Sequence, residues 1–333
     1  MSTDDIVADL TAQRQNSPIE LGVRSFLFAC AVLSVVTTVS IILLLVFEAS
    51  QFFTVTANLL GVDAETASIV DFLTGTTWQV GTRQFGVLAL VSATLLITIG
   101  AAAIAIPFGV ATAIYLSEYA ARRHQAVLKP ALEVLAGIPT VVYGFFALIY
   151  ITPFIKRIFP ETGTFNLFAA SVVVGIMIIP MVASISEDAM SAVPDSLREA
   201  GYGMGATKFD VSTGIVVPAA LSGIFSSFIL ALSRAIGETM AVTVAAGAQA
   251  KYLNPFPILE FLGGQAPLPV NIAVYQEGAL PMTAAMVKLL TGDLEAGGIE
   301  YQSLFAIGLT LFAITLGMNI ISDLIAQRYR EEY

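Results

Sequence analysis

Charge, cysteine and histidine are all scarce in this sequence. Only 12% of its 333 residues are charged, against about 25% in a typical soluble domain. The single cysteine, Cys30, leaves no internal disulfide and no multi-cysteine metal site. The single histidine, His124, excludes the two- and three-imidazole centres of metal hydrolases, so no metal site is expected. Lying beside Arg122 and Arg123, it reads as a solvated loop residue. A nucleotide-binding loop is missing too. The stretch from Gly201 to Lys208 is rich in glycine, but Phe209 follows Lys208 where a phosphate-cradling loop needs Ser or Thr. The third glycine of a dinucleotide fingerprint is also absent. No cofactor is expected on this chain, and any energy source must sit on a partner. An enzyme embedded in the membrane finds no support, because the chain has neither a histidine or cysteine cluster nor paired intramembrane acids.

What is abundant is apolar surface. Apolar residues make up 56% of the chain and the mean hydropathy is +0.83. A spanning helix needs roughly 20 consecutive apolar residues, because backbone groups in lipid must pair within the segment. Charge-free runs of that kind cover Phe26–Phe47, Gly86–Ser117, Val134–Ile155, Thr162–Ser186 and Tyr301–Ser322. A further run, Val211–Ala250, is broken only by Arg234, Glu238 and nothing else charged. The expected fold is an all-α integral membrane protein of about six transmembrane helices. The run from Gly86 is longer than a bilayer requires and is expected to tilt, project or bend at Pro107. The first run is too long for the core of a secretory signal and is expected to stay as an anchor.

Six crossings put both termini on one side. Nine of the 15 basic residues, Arg24, Arg122, Arg123 and Arg198 among them, fall on that side. Five fall opposite: Arg83, Lys156, Arg157, Lys251 and Lys288. The bias makes both termini cytoplasmic in a plasma membrane. The expected segments are a cytoplasmic 1–25, a first span at 26–47, an outer loop at 48–85, a core at 86–326 and a short cytoplasmic tail at 327–333. Within the core lie an inner loop at 187–217 and an outer stretch at 251–300. The prolines and the apolar Phe261-Leu262 of that outer stretch suggest an irregular or re-entrant segment, not a seventh span. The net charge of −10 comes largely from acids in short hydrophilic stretches, which read as solvated loops.

Two places carry chemistry. The inner loop holds Asp195 to Thr207, where Asp195 or Ser196 can cap a short helix and Gly203 and Gly205 can end it through positive φ. By composition alone this is an ordinary solvated loop or an element that a soluble motor grips. In the fifth run, Arg234 costs about 2.5–3.5 kcal/mol near a bilayer centre on insertion scales. Glu238 lies four residues on, one helical turn, so the two are expected to share a face and pair. Arg234 lining a pore would offer a planar fork to phosphate oxygens, with Glu238 as its resting partner and Ser233 beside it. A purely structural ion pair fits the same residues.

The inner loop resembles the cytoplasmic signature of import-type ABC permeases, Glu-Ala-Ala, three residues, Gly, nine residues, Ile, one residue, Leu-Pro. Glu199, Ala200, Gly201, Gly205, Ile215, Val217 and Pro218 fill its positions, with Gly201 and Val217 as the departures. Leu132–Phe146, with Pro139 and Tyr143, is similar to the third span of phosphate permeases, and Arg234–Val242 to their fifth. Ile299–Ala306 with Met282-Thr283-Ala284 upstream resembles the PstC type in particular. The resemblance runs from about Gly86 to the C-terminus. It implies a type I importer bundle with a coupling helix at Glu199–Gly205 that docks on an ATPase. It also implies a heterodimer with a PstA-type permease, two ATP-binding subunits, an extracytoplasmic phosphate-binding protein, phosphate as substrate and no nucleic acid. Pro139 and Tyr143 stand as candidates for the pore wall, and Gly137 and Gly144 for close helix contact, with ordinary packing an equal reading. A permease for sulfate or molybdate and a proton-coupled carrier using Arg234 and Glu238 as a relay are the alternatives.

Overall fold

The computed structural model describes residues 18–54, 69–253, 271–292 and 298–328. The described chain is almost entirely helical. Helix α1 (Pro18–Thr54) has 37 residues, about 55 Å at 1.5 Å per residue, well beyond the roughly 30 Å of bilayer hydrocarbon. It overruns the expected first span at both ends. Its most apolar stretch buries nothing, and only its last turns enter the bundle, through Ala49 and Phe52.

After the short helix α2 (Ile69–Thr74) comes a two-stranded hairpin, β1 (Trp78–Gln79) paired antiparallel with β2 (Gln84–Phe85). It is the sole sheet among the described residues. The expected outer loop is thus partly ordered. Phe52, Phe72, Trp78 and Phe85 meet edge to face with ring centroids 5.3–5.5 Å apart, an arrangement that aromatic quadrupoles favour. Gly75 and Gly86 close the hairpin's base, where a Cβ on either would come within 2.7 Å of the other's backbone.

Helix α3 (Leu88–Ile114) runs through Pro107 and ends in a π-helical turn, Tyr115–Tyr119. Helix α4 (Arg122–Gly137) follows, amphipathic and without a buried residue. The chain breaks at Ile138-Pro139 before α5 (Thr140–Phe146), a second π turn and α6 (Thr152–Ile158). The third crossing is therefore Thr140–Ile158, not Val134–Ile155. Charge-free composition carried the expected run across a proline that forces Ile138 into extended backbone. Tyr143 ties the break by donating from its hydroxyl to the Leu135 carbonyl at 2.7 Å.

Helix α7 (Leu167–Ser191) starts five residues later than the run at Thr162 suggested, with Asn166 as its N-cap. The Asn166 side chain accepts from the Ala169 amide at 2.7 Å and donates to Thr152 Oγ1. It packs along α3, closest at small residues: a Cβ at Gly109 would meet Val182 at 2.6 Å, and one at Gly175 the Ala101 carbonyl at 3.1 Å. Such close approach lets van der Waals packing hold helices that lipid alone would not drive together.

Beyond α7 lie α8 (Asp195–Gly203), α9 (Lys208–Val211), a third π turn at Ser212–Val216, and α10 (Val217–Ala219). Helix α11 (Leu221–Ile236) then departs at 68° from the segment Lys208–Ala219. The expected single crossing over Val211–Ala250 is in fact this bent pair, a break at Gly237–Thr239, and the short α12 (Met240–Ala245). Helices α13 (Met282–Leu290) and α14 (Ile299–Arg328) complete the described chain. Helix α13 has nine residues, about 14 Å and too short to cross. Yet Met282, Ala284 and Ala285 are buried, so this part of the expected outer stretch belongs to the core. The proposed irregular segment around Phe261-Leu262 lies outside the described residues, as do the first 17 residues and the last five.

Among the described residues five helices are long and apolar enough to cross a membrane, or six with the bent pair counted as one. The core has a central cluster from α3, α7, α11 and α12, an aromatic cluster at the hairpin end, and a third at the opposite end around Met190, Val193 and Val211.

Candidate functional site

Arg234 lies in the last turn of α11, three residues before the break. It opens into a cavity of about 540 Å³ walled by Leu116 at the end of α3, by Lys129, Leu132 and Glu133 of α4, and by one face of α7 from Met177 to Asp188. Lys129 is neutralised there by Glu187, Nζ to Oε2 2.8 Å. Among the described residues the Arg234 guanidinium has no hydrogen-bond or ion-pair partner, and its exposed side chain is part of the cavity wall.

The expected pair with Glu238 does not form. That expectation assumed an unbroken helix across four residues, and α11 stops at Ile236. Glu238 turns away and is buried, its Oε1 accepting from the Ala241 amide at 3.2 Å at the start of α12. Its backbone carbonyl accepts from Thr283 Oγ1 at 2.6 Å, which fastens the break to α13. Glu238, one residue before the N-cap Thr239, thus satisfies an amide in the first turn of α12. Ser233 also faces elsewhere, donating to Asn319 Oδ1 on α14 at 2.8 Å. Of the three residues expected along the pathway, Arg234 alone lines the cavity. Pro139 sits at the exposed N-terminus of α5, and Tyr143 is buried across the α4–α5 break; neither lines it. A Cβ at Gly144 would meet Val244 at 2.8 Å, a close contact with α12, whereas Gly137 faces open space.

The inner loop forms a nine-residue helix, α8, carrying Glu199, Ala200 and Gly201. Gly205 has φ +83 and ends it, with its amide on the Tyr202 carbonyl. Gly203 remains helical and has no positive φ. Neither Asp195 nor Ser196 caps the start: Pro194 is the N-cap and Asp195 the first helical residue, its carboxylate 3.1 Å from Arg198 Nη1. Gly201 is buried against Val211 and Ile215, so two of the spaced signature positions, Gly201 and Ile215, touch. Pro218 lies in α10, just before the 68° bend.

Sequence reasoning missed what holds this helix in place. Arg198 bonds the Met190 and Val193 carbonyls and Glu118 Oε1, the last 80 residues away. Thr207 and Asp210 form a reciprocal capping box on α9, and that one was readable as Thr-Lys-Phe-Asp.

Residues 105–331 match the family of binding-protein-dependent transport system inner membrane components. The chain belongs to this family. It is 32% identical over 313 residues to the probable ABC transporter permease protein YqgH of Bacillus subtilis, covering 92% of this chain and 91% of that one. It is also 32% identical over 264 residues to the phosphate transport system permease protein PstC of Mesorhizobium japonicum, with 73% and 74% covered. A bacterial ABC transporter involved in the import of the acidic polysaccharide alginate superposes with TM-score 0.58 at 12% identity, over 92% of this permease and 97% of that chain. At that identity the likeness speaks for the fold, an importer-type permease bundle. The family match supports an ABC importer permease over a proton-coupled secondary carrier.

Proposed function

We propose that this permease forms half of the membrane pore of an ATP-driven phosphate importer. A PstA-type permease would supply the other half, two ATP-binding subunits would grip α8 from the cytoplasm, and an extracytoplasmic binding protein would deliver phosphate. The observation that carries the reading is Arg234, a cation at the end of a membrane helix with no partner among the described residues, facing a cavity. An unpaired guanidinium is retained at such a place when an anion can visit it. Its planar fork suits tetrahedral oxyanions, and the phosphate-transport relatives favour phosphate over sulfate or molybdate.

The carboxylates of Glu133 and Asp188 share the cavity. They oppose anion accumulation, so a phosphate released from Arg234 is repelled onward instead of being held, which suits a conduit better than a storage site. Catalysis of ATP hydrolysis belongs to the partner in this reading, and the chain itself is no enzyme.

The test is vanadate-sensitive uptake of radiolabelled phosphate by reconstituted complex, with sulfate and molybdate as competitors. Arg234→Ala is expected to assemble and lose uptake, with Arg234→Lys retaining assembly. Normal uptake by an assembled Arg234→Ala complex rules the reading out, and effective competition by sulfate reassigns the substrate.

A further inference from the structure

The side chain of Arg198 is 15% exposed and that of its partner Glu118 only 4%. Arg198 Nη2 donates to Glu118 Oε1 at 3.1 Å and to the Met190 carbonyl at 2.8 Å. Nη1 donates to the Val193 carbonyl at 2.6 Å and to Asp195 Oδ1 at 3.1 Å. Met190 and Val193 are buried at the C-terminal end of α7, where carbonyls favour a cation; that of Met190 also accepts from the Val193 amide at 3.2 Å. Glu118 lies in the π turn that ends α3 and also accepts from Ser117. One guanidinium therefore joins three elements: α8, α7 and α3.

Beside it, Lys208 Nζ stands 5.1 Å over the Tyr119 ring, a second tie from the loop to the end of α3. The next segment is held differently, by Gly201 packed on Val211 and Ile215. Pulling on α8 thus has two outlets: through Gly201 towards α11 and Arg234, and through Arg198 towards α3 and α7, which wall the cavity.

We infer that Arg198, with Glu118 as its anchor, is the positioning residue that turns movement of α8 into movement of the α3 and α7 walls of the cavity. The inference rests on the reading that an ATPase grips α8. Without the guanidinium, α8 stays attached through Gly201 and can still engage its motor, but the cavity walls no longer follow it. The signature of its loss is wasted ATP, not a lost complex.

The complete complex, with its binding protein, is reconstituted in vesicles, and phosphate taken up and ATP hydrolysed are measured together. Arg198→Ala is expected to lower phosphate moved per ATP roughly tenfold, within the range for residues that couple distant sites, while hydrolysis per assembled complex holds within about twofold. Arg198→Lys should fall between, because one ammonium cannot serve two carbonyls and a carboxylate in fork geometry. Glu118→Gln should lower the ratio by roughly two- to threefold alone and add nothing to Arg198→Ala, since its partner is already gone. An unchanged ratio in Arg198→Ala, or uptake and hydrolysis falling in proportion, overturns the inference. If Arg198→Ala yields no complex, Glu118→Gln decides: a lowered ratio supports the inference and an unchanged one overturns it. A wild-type complex without ATP-dependent uptake fails the functional reading instead, so the two failures are separable.

Discussion

At Gly201 the missing side chain makes room for the terminal methyl of Ile215, which a Cβ would approach to 2.7 Å, and for Val211 Cγ2 at 3.0 Å. The import-permease signature has alanine at this place, so the question is whether alanine fits. Both obstructing atoms are ends of side chains, and Ile215 Cδ1 can rotate away. Alanine also gains about 0.8–1 kcal/mol of helix propensity over glycine, against the roughly 1–3 kcal/mol that overpacking costs. Gly201→Ala is therefore expected to fold and transport nearly as wild type. Gly201→Leu, with three more heavy atoms pressed into the same gap, should detach α8 from α9 and release the ATP-binding subunit. Co-purification of the two subunits checks both outcomes.

The two short helices on either side of α11 are set by their caps. On α12 the first turn is served by Glu238, one residue before the N-cap Thr239, which needs only an acceptor oxygen, so Glu238→Gln keeps the bond to the Ala241 amide and Glu238→Ala loses it. Losing that bond is expected to cost about 1 kcal/mol, with the glutamine variant melting close to wild type in detergent. Had Glu238 been the counter-ion of Arg234, glutamine would cost nearly as much as alanine, so melting curves of the two variants separate the roles. On α9, Thr207 and Asp210 cap each other. Thr207→Val and Asp210→Ala should each cost about 1 kcal/mol and together much less than the sum, because either change breaks the same reciprocal pair.

These elements also mark how far the sequence could be read. Long apolar runs gave the crossings because lipid imposes length and composition on every spanning helix. The break at Gly237–Thr239 was hidden because glycine, glutamate and threonine all occur within helices, and the decisive contact, Thr283 to the Glu238 carbonyl, comes from 45 residues away. Arg198 was legible only as a charge on the inner side, since its partner Glu118 is joined to it by folding and not by spacing. Arg234 was the opposite case: its cost in lipid singled it out wherever its helix ended.

For the whole molecule, the contacts fix which connections share an end. The bond from Arg198 to Glu118 puts the α3–α4 and α7–α8 connections together, and the hairpin packs at the other end with the last turn of α1. We propose that the Arg198 end faces the cytoplasm, the side that the basic bias favours. A labelling experiment tests this because the chain has a single cysteine to remove. Cys30 lies in the stretch of α1 that buries nothing, so Cys30→Ala leaves no cavity. Gly81, at the hairpin turn, has no atom within 4 Å of an added Cβ, and Met204, just after α8, is 81% exposed. In intact cells with a permeable outer envelope, a membrane-impermeant maleimide is expected to label Gly81→Cys and to reach Met204→Cys only after the membrane is opened. The reverse pattern would put α8 outside, where no ATP-hydrolysing partner could reach it, and the coupling role of Glu199–Gly205 would fall with it.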